Sequence, residues 1–135
     1  MVDERFIGKW RMETMENFDE YMKVLEVGLV LRKAGSVSTT TYEISKDGDT
    51  WTWKYKIAFK SGTVHWRLDE EFDEVTPDGR KVKSTISWDD GMLVQVQRGK
   101  PCETTLTRSI RDDDTMLEIL KAKDVVCTKT YKRVE

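Results

Sequence analysis

Histidine occurs once in the 135 residues, cysteine and proline twice each, and asparagine once. Each scarcity closes a class of chemistry. The lone His65 has no partners at the spacing a nucleophilic triad needs, and with only Cys102 and Cys127 besides it there is no set of metal ligands. No catalytic and no metal-binding residue is therefore expected, and the chain does not read as an enzyme. Cys102 sits in a turn-like Gly-Lys-Pro-Cys stretch and Cys127 in a strand-like Val-Val-Cys-Thr stretch, settings that predict two free thiols rather than a disulfide. Asn17 is followed by Phe18 and Asp19, so the chain has no N-glycosylation sequon. Neither sign of charge predominates: 23 basic residues face 25 acidic ones, which leaves no electrostatic footprint for a nucleic acid. Long apolar runs are missing too, and the charged opening from Met1 to Lys9 resembles neither a signal peptide nor a membrane span. A cytoplasmic address is the expectation.

What is present is β-patterned sequence. Short alternating runs are broken by polar turns about every 8 to 12 residues, the rhythm of a sandwich or barrel. The turn compositions are Lys46 to Asp49, Lys60 to Gly62, Thr76 to Gly79, Asp89 to Gly91, Gly99 to Pro101 and Asp112 to Asp114. No helix-length segment lies between the later strands, which excludes parallel βαβ units and leaves an antiparallel meander; closing it into a barrel removes its edges. One segment departs from the rhythm. From Asn17 to Lys33, apolar residues recur at helical spacing, with Asn17 and Glu20 set out as a capping box and Gly28 dividing the stretch into two short helices. Helices this short must bury their apolar stripe against something larger, here the mouth of the barrel. The length allows one domain, residues 1–135.

Two strand patterns carry unusual residues. Trp51, Trp53, Tyr55, Ile57 and Phe59 share one face of a strand, implying either a filled barrel or a narrow cavity. Arg108 shares a face with Leu106 and Ile110, and Lys129 shares one with Cys127 and Tyr131. A guanidinium on an apolar face needs an anionic or strongly accepting partner. That partner is either a ligand or a buried structural ion pair. For Lys129 the alternative is an ordinary solvated lysine.

The motifs that carry these residues resemble those of the intracellular lipid-binding proteins, specifically the fatty-acid-binding branch. The resemblance runs through Phe6-Ile7-Gly8-Lys9-Trp10, Asn17 to Lys23 leading to Val27-Gly28, Glu71 to Glu74 with Gly79 to Ser84, Glu103 to Arg108, and Val126 to Tyr131. It implies an all-β fold, a ten-stranded antiparallel up-and-down β-barrel (β-clam) capped by a helix-turn-helix, with one long-chain fatty acid as ligand and no cofactor. The ligand carboxylate would meet Arg108, Lys129 and Tyr131. Lysine at position 129 departs from the arginine usual in the family and replaces a planar fork with a compact charge. The cavity and portal would include Phe18, Tyr21, Val27, Leu31, Trp53, Tyr55, Phe59, Pro77, Asp78 and Gln97.

Further departures leave alternatives open. The turn Asp112 to Asp114 is one residue longer than the family pattern, so either Met116, Glu118 and Leu120 face inward or Leu117 and Ile119 do. An inward Glu118 would neutralise Arg108 or Lys129 and favour neutral lipids such as ethanolamides or alcohols. Glu26 stands where glycine is usual. Lys23, Arg32 and Lys33 stand where some members carry a nuclear-localisation signal, and the same charges suit a solvated helix face or transient contact with anionic membranes. The resemblance implies a monomer, cytoplasmic and in some members nuclear, with a nuclear receptor as a further partner and no nucleic acid.

Overall fold

A computed structural model describes residues 2–58 and 60–134. After a 3₁₀ turn at Glu4–Phe6, the chain forms β1 (Gly8–Glu16), α1 (Phe18–Val24), α2 (Leu29–Ser36), β2 (Thr41–Asp47), β3 (Thr50–Ile57) and β4 (Lys60–Trp66). It continues through β5 (Phe72–Val75), β6 (Lys81–Asp89), β7 (Met92–Arg98), β8 (Thr104–Asp112), β9 (Thr115–Ala122) and β10 (Val125–Val134). The strands form one sheet in the order β4-β3-β2-β1-β10-β9-β8-β7-β6-β5, every neighbouring pair antiparallel. The sheet curls into a nearly closed barrel with β4 and β5 at its two edges. Hairpin chemistry sets the meander: Asp90 and Gly91, both at positive φ, make the two-residue turn that the right-handed twist of β6 and β7 favours.

Packing is divided between the two ends. At the closed end Phe6, Trp10, Trp51, Trp66, Leu93 and neighbouring side chains form one cluster. Trp51 stacks on Trp66 at 5.5 Å and Trp53 meets the Trp66 edge at 5.4 Å, so the aromatic alternation of β3 plugs the bottom of the barrel. Under the helices a second cluster joins Tyr21, Met22, Leu25 and Val27 to Leu106, Leu120 and Cys127. The space between the two clusters is the interior of the cup. Cys102 and Cys127 are both free thiols.

Three local expectations are corrected, and one open alternative is decided. Asn17 precedes α1 at φ 64 and its side chain caps nothing; Nδ2 donates instead to the Val126 carbonyl at 3.0 Å, tying the helix start to β10 in place of a capping box. Only α1 buries its apolar face. In α2 no residue is buried, and Val30 is 82% exposed, so this helix lies over the mouth without sealing it. Residues Lys60 to Gly62 belong to β4 rather than to a turn. Gly62 is there for close approach: a Cβ would lie 2.5 Å from the Tyr55 ring. Finally, β8 carries a bulge between Ile110 and Asp112, which fixes the facing of β9 so that Met116, Glu118 and Leu120 point inward.

Candidate functional site

Alternation along β8, β9 and β10 brings Arg108, Glu118 and Lys129 to one level of the inner wall, since Arg108 pairs in register with Glu118 and Glu118 with Lys129. Arg108 is 4% exposed and Glu118 1%, so their charges have left bulk water together. Arg108 Nε donates to Glu118 Oε2 at 2.7 Å, and the Tyr131 hydroxyl donates to Glu118 Oε1 at 2.9 Å. The other side of the guanidinium donates through Nη1 to Gln95 Oε1 at 2.9 Å, and its carbon lies 4.3 Å from the centre of the Trp53 ring.

The hydrogen bonds continue around the wall. Gln95 Nε2 donates to Glu74 Oε1 at 2.9 Å, Gln97 Nε2 to the same oxygen at 3.1 Å, and Ser84 Oγ to it at 2.7 Å; Thr104 Oγ1 donates to Gln97 Oε1 at 2.7 Å. Tyr131, Glu118, Arg108, Gln95, Ser84 and Glu74 thus contribute one side chain from each of β10 back to β5. Networks of this kind are stable inside a barrel only when each member is satisfied.

Electrostatics agree with the geometry. Burial alone would push the Glu118 carboxyl upward, but Arg108, Lys129 and the donated hydrogen bonds outweigh it and hold the group below its ordinary value. Burial likewise opposes charge on Arg108, yet Glu118 and the neighbouring tyrosines keep its pKa raised. The Tyr131 phenol is driven well above 10 by burial and by the adjacent carboxylate, so it is a neutral donor. Arg108 and Glu118 are a charged pair at neutral pH.

Above this level lies a narrow cavity of about 160 Å³. Its wall includes Phe18, Tyr21, Val27, Leu31, Trp53, Tyr55, Pro77, Asp78 and Gln97, the cavity and portal residues expected from the sequence. Phe59, expected as a gate, falls outside the described residues. Lys129 lines the cavity with its Nζ 5.4 Å from the centre of the Phe18 ring, and no ion-pair partner holds it among the described residues. At the rim Arg80 Nε donates to Asp78 Oδ2 at 2.7 Å and Thr76 Oγ1 to Asp78 Oδ1 at 2.8 Å, which stiffens the loop between β5 and β6. The basic residues of the helices are not a bare patch. Lys23 pairs with Glu20 at 3.0 Å and Asp19 at 3.5 Å, and Arg32 reaches Asp19 at 2.9 Å.

Gln95, Glu74, Ser84, Thr104 and Arg80 were not singled out from sequence. For Gln95 the signal was available, because it alternates with Leu93 and Gln97; for Glu74 it was the alternation with Phe72. His65 faces solvent, its Nδ1 2.9 Å from the Thr52 hydroxyl, and no cluster of histidine, cysteine or acidic residues fit to hold a metal occurs among the described residues.

Comparison with known proteins gives this architecture its family. The model of the lipocalin / cytosolic fatty-acid binding protein family matches residues 7–134. Sodium/calcium exchanger regulatory protein 1 of Doryteuthis pealeii is 46% identical over 128 residues, 95% of this chain and 96% of that one. The solved REP1-NXSQ fatty acid transporter superposes with a TM-score of 0.93 at 44% identity over 98% of both chains. A Schistosoma mansoni fatty acid binding protein, solved in complex with arachidonic acid, superposes with a TM-score of 0.92 at 35% identity over 97% of both. A helix-capped, nearly closed barrel with a charged internal network, matched end to end, places the chain in the lipocalin and cytosolic fatty-acid-binding protein family, in its fatty-acid-binding branch, a non-catalytic fold for binding and transporting lipids.

Proposed function

We propose that this protein carries a single long-chain fatty acid, or a fatty-acyl lipid of similar length, between membranes. The observation that carries the reading is the cavity itself: an apolar channel that begins at Val27, Leu31 and Pro77 and ends on Arg108, Glu118 and Lys129. Apolar walls take the acyl chain, and the polar end fixes the orientation of the head group. Support comes also from the similar Schistosoma mansoni protein, whose structure is a complex with arachidonic acid. For a carboxylate head group, Lys129 is the inward cation left without an ion-pair partner among the described residues, while Arg108 and Tyr131 contribute through Glu118.

Loading would proceed at the mouth, where Leu29, Val30 and Leu31 on α2 and Val75 on β5 present exposed apolar side chains. In this reading the protein is a cytoplasmic monomer that touches membranes transiently with α2. Lys33 supplies a cation for an anionic surface, whereas Lys23 and Arg32 are held by Glu20 and Asp19, and these three residues are the ones to replace in testing nuclear entry and delivery to a nuclear receptor. The direct test is to purify the protein, identify its lipid by mass spectrometry, remove it, and titrate long-chain lipids back. A bound long-chain lipid at roughly one per chain supports the reading. A protein that neither retains nor rebinds any such lipid refutes it.

A further inference from the structure

The deep end of the cavity suits a carboxylate, since Arg108 and Lys129 bring two positive charges to the single negative charge of Glu118. A second acid lines the same cavity. Glu74 lies on β5, five strands from β10 and Lys129 in the sheet order, so it stands on the opposite side of the cup. Its Oε1 is committed to the protein, accepting from Ser84, Gln95 and Gln97 at 2.7, 2.9 and 3.1 Å. Its Oε2 accepts no hydrogen bond and meets no cation among the described residues, and it is not walled off by protein.

A hydrogen-bond donor borders the same space. Tyr55 of β3 lines the cavity, and its ring lies over Gly62 of β4, its partner in register, which places no side chain between Tyr55 and the seam where β4 faces β5. The Tyr55 hydroxyl makes no hydrogen bond among the described residues and is likewise not walled off. Burial first, and then the charge of Glu74, push the Tyr55 phenol up, so it is a neutral donor near enough to feel that carboxylate. A hydroxyl gives one hydrogen and accepts through its oxygen, so one placed between the two groups donates to Glu74 Oε2 and accepts from Tyr55. A methylene passing there takes water from both and returns no hydrogen bond.

We propose that Glu74 and Tyr55 form a second polar subsite that reads a hydroxyl along the acyl chain, so that among oxygenated long-chain acids the cavity selects hydroxy fatty acids, held with the carboxylate toward Lys129 and the hydroxyl toward Glu74. This rests on the lipid-carrier reading and names a cargo class within it. A keto oxygen does not replace the hydroxyl, because it brings no hydrogen and sets a second acceptor against Glu74.

The test takes delipidated protein at neutral pH and compares monohydroxystearates, with the hydroxyl at successive carbons, against the matching oxostearates and stearate, each competing with one fluorescent fatty acid. All carry the same carboxylate, so the deep end contributes equally to each. At the carbon that reaches Glu74 the hydroxy acid is expected to bind about tenfold more tightly than its keto partner, and hydroxyls elsewhere on the chain to show no such advantage. Glu74→Gln keeps an oxygen for Ser84, Gln95 and Gln97 and turns its amide N–H groups toward the ligand, so the advantage is expected to shrink to less than about threefold. Tyr55→Phe is expected to weaken the favoured hydroxy acid by about threefold or more relative to stearate. Hydroxy and keto acids of equal affinity at every position in the wild type overturn the proposal, as does an advantage unchanged in Glu74→Gln or a favoured hydroxy acid unchanged against stearate in Tyr55→Phe. Should Glu74→Gln not fold, the wild-type series and Tyr55→Phe decide. If neither stearate nor the fluorescent acid binds, the carrier reading fails; if both bind and no hydroxyl position is favoured, only the present inference does.

Discussion

Replacing Glu118 with glutamine removes one charge and little volume, so its effect on stability isolates the buried pair. In the wild type Arg108 gives Nε to Glu118 at 2.7 Å and both residues are almost wholly enclosed. Losing one partner of such a pair costs about 3–5 kcal/mol, because the remaining charge stays buried without its counter-ion. Glutamine keeps an oxygen that can accept from Arg108 or Tyr131, and the Trp53 face and Gln95 still contact the guanidinium, which sets the expectation at the lower end, about 3 kcal/mol. On a domain whose total stability is about 5–15 kcal/mol, this is readily measured. Urea unfolding of delipidated protein, followed by tryptophan fluorescence, is the assay. The pH dependence supplies a second check. Glu118 has a lowered pKa in the folded state, so its contribution is present above the unfolded carboxyl value and is lost as pH falls through the folded one. The gap between wild type and Glu118→Gln should therefore be full at neutral pH and close in acid. Replacing both Arg108 and Glu118 with leucine should cost less than the sum of the single replacements, with a coupling of about 2 kcal/mol or more. A neutral-pH cost below about 1 kcal/mol, or a gap that persists unchanged in acid, would refute the reasoning.

Three further outcomes follow from local geometry. Glu26 is exposed at φ 61 between the helices, where a Cβ is penalised by about 1–2 kcal/mol; Glu26→Gly should gain about 0.5–1 kcal/mol after the added chain entropy of glycine, read as a raised melting temperature. Gly62→Ala sets a Cβ 2.5 Å from the Tyr55 ring, so it should cost about 1–3 kcal/mol in urea unfolding and shift Tyr55 within the cavity, with weaker lipid binding as the companion readout. Burial pushes the Cys127 thiol up to about 11, whereas Cys102 is only half-buried; a maleimide at pH 7.5 should modify Cys102 alone in the native protein, and peptide mapping that finds Cys127 modified first would contradict this.

The parts of the fold that follow from strict alternation were legible in the sequence. Arg108 and Tyr131 could be assigned inward because each sits two residues from another inward side chain, Leu106 and Lys129 respectively, in a regular stretch of strand, which in β8 ends before its bulge. Alternation loses its authority at a bulge. The sequence Arg111-Asp112-Asp113-Asp114 shows an extra residue but not where the ladder absorbs it, and a one-residue difference in register exchanges every inward and outward side chain of β9. The facing of Glu118 was undecidable for that reason. The helices show a different limit. Their periodicity is real, but α1 starts from a left-handed Asn17 anchored to β10, and α2 leaves its apolar residues exposed, because tertiary position rather than local pattern decides what is covered. At Lys60 to Gly62, composition suggested a turn where glycine instead answers to the neighbouring Tyr55 ring.

The Glu118 pair and the bulge in β8 depend on each other. Without the bulge, Leu117 and Ile119 would replace Met116, Glu118 and Leu120 on the inner face, and Arg108 would stand buried with no carboxylate opposite it. A single buried charge without a partner is among the most expensive features a core can contain, so the slipped register is penalised by Arg108 as well as by the apolar residues of β9 turned outward. Lys129 feels the same selection, since it too stands opposite Glu118 in register. The acid that accepts from Arg108 and Tyr131 therefore also fixes the facing of the strand that carries it. The register of β9 and the buried network rest on one side chain, so Glu118→Gln should weaken both together in urea unfolding, whereas changes at the mouth, on the exposed face of α2, should leave that stability unaltered.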